Sequence, residues 1–451
     1  MLRGLAGRND PLRLNERLMA LEEQLEAGAG EAGPALLQVE QEAAEALAAR
    51  LLARATTETP GYLVLNPCSF TRRVALELDG PTIPLPIGGP VKACQLDADK
   101  LRLVIEVPGL GFAWFPKAGP IGTPPPTMRM RLADHRSVRN EFFEAEVDLE
   151  TGGLRAIRDH KTRLNRLGQK LVFNPGSNMR ASSVQMTSQG PALGEIVSEG
   201  AILGDQDKVL AKFRQRFRAW LGRPVLDMRI ELYPELPPAG YPWHAYYGAR
   251  FAWRDERAML LRGVNGTGYV STQTRPQTPD FLELRQGRQS VVIFPGGLPF
   301  HQRHESRMLD IILVPEGEKA HVFDLAVALD REHPMQTALG MITPVTLVPT
   351  SKGPPHVGAT GWLFHLDASH LLLTGMRPAP LANGPADAIQ VRLLECGAYG
   401  GQAELHCPRN PRKAALVDAR GTSLLDATCQ GDAVSFEVMP GDLASLQVEF
   451  S

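Results

Sequence analysis

The chain carries no excess of basic charge: 48 lysines and arginines stand against 50 acidic residues, for a net charge of -2. Such a balance offers no positive field to hold a nucleic acid or an anionic membrane, so neither is expected as a partner. Cysteine is scarce and unpatterned. Cys68, Cys94, Cys396, Cys407 and Cys429 are odd in number and show neither a CxxC pair nor metal-ligand spacing, which reads as reduced thiols in a cytoplasmic protein. No hydrophobic run is long enough to span a bilayer, and residues 1–8 lack the continuous apolar core of a signal peptide. A P-loop, a dinucleotide fingerprint, a Gly-x-Ser-x-Gly elbow, internal repeats and low-complexity tracts are also missing, which removes the nucleotide-binding and serine-hydrolase readings.

Turn formers, by contrast, are plentiful. With 43 glycines and 37 prolines and few long helical patterns, the chain reads as many short strands joined by turns, at a length that suits about three domains. The helical exceptions come first. Asp10 can cap a helix with Pro11 in its first turn, running to Gly28 with Leu14, Leu18, Leu21 and Leu25 on one stripe. A second helix from near Pro34 carries Leu37, Ala44, Leu47 and Leu51 on one face. The pair predicts an αα-hairpin that packs on the β-domain after it or forms the end of a helical bundle.

The expected organisation is a helical hairpin at residues 1–57, a small β-sandwich at 58–127, a large antiparallel sandwich at 128–345 and a C-terminal β-sandwich at 346–451. Proline-rich sequence at 116–126 and at 344–355 reads as linkers. The clearest strand of the large sandwich sets Leu226, Met228, Ile230 and Leu232 against Asp227, Arg229 and Glu231. Another run, Val138 to Leu149, places Phe143, Ala145, Val147 and Leu149 opposite Glu144, Glu146 and Asp148, then turns at Gly152-Gly153.

That last run, Val-Arg-Asn-Glu-Phe-Phe-Glu-Ala-Glu-Val-Asp-Leu, resembles the opening of the large β-domain in glycoside hydrolase family 38, the retaining α-mannosidases. Four further stretches resemble the family in the same order. They are Leu65-Asn66-Pro67 with Arg72; Val107-Pro108-Gly109-Leu110-Gly111-Phe112; the aromatic segment Pro242 to Trp253 ending Arg-Phe-Ala-Trp; and Leu298 to His304 followed by Met308-Leu309-Asp310 and Gly317-Glu318. The resemblance covers roughly residues 58 to 451 and implies a mainly β fold. In it a short N-terminal helical hairpin precedes antiparallel sandwiches, and the central one is a supersandwich like that of galactose mutarotases. It also implies that the zinc site and Asp nucleophile lie in an N-terminal catalytic domain that this sequence does not contain, so no cofactor is expected in this chain.

Candidate site residues follow. His301-Gln302-Arg303-His304 reads as a loop after the strand Val291 to Phe294, with imidazoles and a guanidinium that can hydrogen-bond sugar hydroxyls or lie on the surface. In the resembled family the corresponding loop approaches the catalytic groove, which makes Arg303 the first candidate for a sugar contact, with His301 and His304 beside it. Trp243, Tyr246, Tyr247 and Trp253 with Arg250 form either a sugar-stacking platform or core, and alternation favours burial of the Trp253 side. His365, Asp367 and His370 have a His-Asp composition that suits zinc, but they read as an ordinary edge strand. Glu144, Glu146 and Asp148 read as a solvated strand face, and no pair of carboxylates can be chosen as a retaining glycosidase's nucleophile and acid.

The expected function is therefore that of an accessory region of an α-mannosidase-like hydrolase acting on α-mannosides. It would support a catalytic domain or subunit, line the sugar groove and be inactive alone. The alternative is a stand-alone carbohydrate-binding or scaffold protein without catalytic activity.

Overall fold

The computed structural model describes residues 11–28, 32–80, 83–97, 100–121, 123, 130–305, 307–381 and 384–450. It opens with two helices, α1 (Pro11–Glu26) and α2 (Ala32–Leu51). The expected cap at Asp10 lies outside the described residues. Helix α2 buries Ala44, Leu47 and Ala48 against Leu63, Leu65, Phe112, Trp114 and Val348, so the hairpin packs on the β-domain that follows. Its buried face is rotated from the expected one: Leu37 is exposed, while Val39 and Ala43 are buried.

The small sandwich packs two sheets around Val64, Cys94, Leu103, Ile105, Ala113 and Phe115. One sheet orders Arg72–Asp79, Lys100–Val107 and Val91–Asp97; the other orders Thr346–Thr350, Gly61–Asn66, Gly111–Pro116 and Thr360–Trp362. Two of those strands come from sequence beyond the large sandwich. Thr346–Thr350, in the stretch read as a linker, pairs residue by residue with Gly61–Asn66, and the Trp114 indole donates to Thr350 Oγ1 at 3.1 Å.

Asn66 and Arg72 have structural tasks here. Asn66 is fully buried; its Nδ2 donates to Phe70 O and Pro108 O, and its Oδ1 accepts from Cys68 N, which ties two turns together. Arg72 donates to the carbonyls of Gly340 and Thr343 at the end of α3 (Pro334–Ile342), satisfying groups a helix C-terminus leaves unpaired.

The large sandwich faces a nine-stranded sheet against a seven-stranded one, both antiparallel. Leu226, Met228, Ile230 and Leu232 enter the core between them, as their alternation predicts. The run Val138 to Leu149 is a correction. It is not one strand but two, Ser137–Arg139 and Glu144–Val147, folded on each other. Buried Asn140 makes the reversal: its Oδ1 accepts from Phe142 N and Phe143 N, and its Nδ2 donates to Trp220 O and Arg223 O. Phe143, Ala145 and Val147 are buried, but Leu149 falls in the next turn and is 51% exposed.

The C-terminal region is an eight-stranded antiparallel sheet folded over its own core, with Leu366, Leu405, Val434 and Phe436 meeting Val391, Leu393, Leu446 and Val448. The fold is thus mainly β behind a helical hairpin. All five cysteines are free. Among the described residues no helix is long and apolar enough to cross a membrane.

Candidate functional site

The strand Tyr246–Ala252 lies inside the seven-stranded sheet, between Leu167–Asn174 and Met308–Val314. Alternation sends Tyr247, Ala249 and Phe251 into the core and leaves Tyr246, Gly248 and Arg250 on the outer face. On that face Arg250 stands opposite Asp310, and Asp310 stands opposite Gln302 of the edge strand His301–His304. The stretch 301–304 is therefore a strand and not the expected loop.

Asp310 has no exposed surface and is surrounded by donors. Arg250 Nε reaches Oδ1 at 2.7 Å and Arg250 Nη2 reaches Oδ2 at 2.8 Å; the Tyr246 hydroxyl donates to Oδ2 at 2.8 Å, with His304 Nε2 at 2.9 Å. Hydrogen bonding to Asp310 raises the Arg250 guanidinium above its ordinary range, and burial followed by the Asp310 charge pushes the Tyr246 phenol far up. Gly248 makes room for this arrangement. A Cβ there would meet Ile311 O at 2.9 Å and the Tyr246 ring at 3.2 Å.

Three of the proposed contacts change character. His301 is fully buried: its Nε2 donates to Thr278 O at 2.8 Å, and burial pushes its imidazole down to about 4. A neutral, enclosed ring presents nothing to a sugar. His304 is held in the Asp310 cluster, with a side chain 22% exposed. Arg303 is half-buried, shares a face with Leu309, and its backbone N–H donates to the carbonyl oxygen of Thr274, in an earlier loop, at 2.8 Å. Tyr246 and Tyr247, offered as platform residues, are both fully buried.

Trp243 is half-buried and gathers partners. Its ring meets Phe300 edge-on at 5.9 Å, while Arg275 Cζ lies 4.9 Å from its centroid and 5.5 Å from that of Tyr241. Arg275 Nη1 also donates to the Tyr241 hydroxyl at 3.3 Å. Tyr241 and Phe300 are 54% and 47% exposed, so the group forms an aromatic rim where the strand Tyr246–Ala252 begins. Sequence reasoning missed Tyr241, Phe300 and Arg275. The Tyr-x-Trp spacing was a usable signal; Arg275, joined only through the fold, had none.

His365 and Asp367 are exposed on their strand, whereas His370 is buried and stacks on Tyr399 at 5.0 Å, so the three do not converge. Among the described residues no group of three His, Cys, Asp or Glu side chains could hold a metal ion. Glu146 pairs with Arg158 at 2.9 Å, and Asp148 Oδ1 accepts the backbone N–H of Glu150 and Thr151 in the turn.

Solved structures share this arrangement of helices and sandwiches. An α-mannosidase from Enterococcus faecalis superposes with a TM-score of 0.61 at 12% identity, over 94% of this chain and 61% of that one. The likeness is one of fold. A glycosyl hydrolase family 38 protein from the same organism gives a TM-score of 0.62 at 12% identity, over 93% of this chain and 63% of that protein. This chain thus spans less than two thirds of the length of either. No protein-family model and no curated protein matches the sequence.

Proposed function

We propose that this chain is the carbohydrate-facing, β-rich accessory region of an α-mannosidase-like glycoside hydrolase acting on α-mannosides. The aromatic rim of Trp243, Tyr241 and Phe300 carries this reading, with Arg275 held against two of its rings. The C–H faces of a pyranose pack on such rings, and a guanidinium supplies donors for hydroxyl oxygens. Arg303, whose backbone holds Thr274 beside Arg275, is the second contact. Hydrolysis belongs to a catalytic domain or subunit whose sugar groove the rim lines. The free thiols support a cytoplasmic setting. A second reading, a carbohydrate-binding protein without catalytic activity, draws on the same rim because all its side chains come from this chain.

Titration of the chain with methyl α-mannoside, followed by tryptophan emission and calorimetry, tests the shared element. Saturable binding should fall roughly tenfold or more in Trp243→Ala. Binding that is unchanged by that substitution removes the rim as a sugar site, and binding that is absent removes the second reading. A glycan screen on the chain alone separates the two readings, since only the second requires selective binding without a partner.

A further inference from the structure

The strand that begins at the aromatic rim ends at a cleft of about 980 Å³, and the side chains there are incompletely paired. Trp253, directly after the strand, donates its backbone N–H to Arg307 O at 3.1 Å, and Arg307 Nη1 donates to Arg254 O at 3.2 Å. Both bonds lie along one wall. The loop at Arg166 and the hairpin of Leu282–Gln286 with Gln289–Phe294 form the others.

Among the described residues, two donors at this cleft have no acceptor. Trp253 is 7% exposed, and its indole Nε1–H is unpartnered. The Arg166 side chain is 8% exposed; its Nη2 reaches Asp159 at 2.8 Å and Asp330 at 3.5 Å, but its Nε–H has no partner. Buried donors are nearly always satisfied, and although arginine Nε–H groups without a hydrogen bond also occur at Arg102, Arg214, Arg216 and Arg331, the enclosed Trp253 indole at the wall of a cleft points to an acceptor that a ligand supplies.

Charge narrows the ligand. The charge of Arg166 is already met by Asp159 and Asp330, but exposed Arg254, Arg257 and Arg307 rim the cleft, three guanidiniums against the two lining carboxylates of Asp255 and Glu256. Those carboxylates engage Arg257 at 3.4 Å and Arg307 at 3.5 Å, and among the described residues Arg254 has no ion-pair partner. Fork-shaped guanidiniums match oxyanions in geometry as well as in sign. The volume is that of a small-molecule site.

We propose that this cleft binds an oxyanion group, a carboxylate, sulfate or phosphate, between the Trp253 indole, Arg166 and the arginine rim. The site is separate from the aromatic rim, and its case does not rest on the mannoside reading.

Calorimetric titration of the full chain with inorganic phosphate, sulfate and glucuronate tests this, with glucose as the neutral control and ionic strength held constant with sodium chloride. At least one oxyanion should bind saturably, and roughly tenfold more weakly in the Arg254→Gln/Arg307→Gln double variant. Because both arginines are exposed, that variant should melt with the parent; if it does not, Arg257→Gln serves in its place. Binding of phosphate and sulfate without glucuronate identifies a tetrahedral oxyanion, and preference for glucuronate identifies a sugar acid. The proposal is overturned if no oxyanion saturates by tens of millimolar, if glucose binds as well as glucuronate, or if the arginine variants bind as the parent does.

Discussion

One strand and its continuation carry two polar groupings built in opposite ways. On the outer face of Tyr246–Ala252, buried Asp310 receives Arg250 twice and Tyr246 once, with His304 alongside. A few residues on, Trp253 and Arg166 are comparably enclosed, yet each keeps an N–H without an acceptor. A completed network rigidifies a fold and leaves nothing for a ligand, whereas an incomplete one costs stability until something completes it. The grouping richer in histidine and aromatic residues is thus the structural one, and the plainer arginine cleft is the one equipped to bind.

Removing the acceptor at the centre of the complete network should have the largest effect. Asp310→Ala strands Arg250 and Tyr246 and should lower unfolding free energy in urea by about 3–5 kcal/mol. Water reaches Arg250, whose side chain is 27% exposed, which favours the lower end of that range. A loss under 1 kcal/mol would mean that the network is not structural.

His301 extends the comparison to pH. Its folded value of about 4 lies below the ordinary 6.5, so the unfolded chain takes up the proton first. Stability should therefore be unaffected by this group above pH 6.5 and fall as pH drops from 6.5 towards 4, by about 3 kcal/mol in total. In His301→Gln, whose amide can still donate to Thr278 O, urea unfolding should lose that part of its acid slope.

Gly248→Ala should cost about 1–3 kcal/mol by crowding the Ile311 carbonyl and the Tyr246 ring, seen as a lower melting temperature and altered near-ultraviolet circular dichroism. Trp253→Phe should have the smallest effect on stability, within about 1 kcal/mol of the parent, because the lost N–H had no partner. A loss well beyond that would place the indole N–H in an existing bond and close the gap between the two groupings.

Much of the fold was legible wherever one residue's neighbours sufficed. Period-2 alternation gave the strand Leu226–Pro234, and the leucine stripe gave α1. Asn140 was not legible as a turn, because Val-Arg-Asn-Glu-Phe-Phe-Glu keeps strand-like alternation on either side of it and the bonds that make it a corner reach Trp220 and Arg223. Thr346–Thr350 was not legible as part of the small sandwich, because its partner strand lies nearly 300 residues earlier. The site divided the same way. Trp243 was legible as an aromatic candidate but its neighbours Phe300 and Arg275 were not, just as the fate of His301 depended on Thr278 and that of His304 on Asp310 and Tyr246. Trp253 was legible as buried, and its unpaired indole N–H was not, since satisfaction is a property of the assembled neighbours.

The most direct test of the contrast is the proton resonance of the Trp253 indole N–H, compared with that of Arg250 Nε–H in one phosphate or glucuronate titration. The account predicts a saturable downfield shift of the Trp253 signal as it gains an acceptor, with Arg250 unmoved on Asp310. An unmoved Trp253 signal, or a shift centred on Arg250, would contradict it.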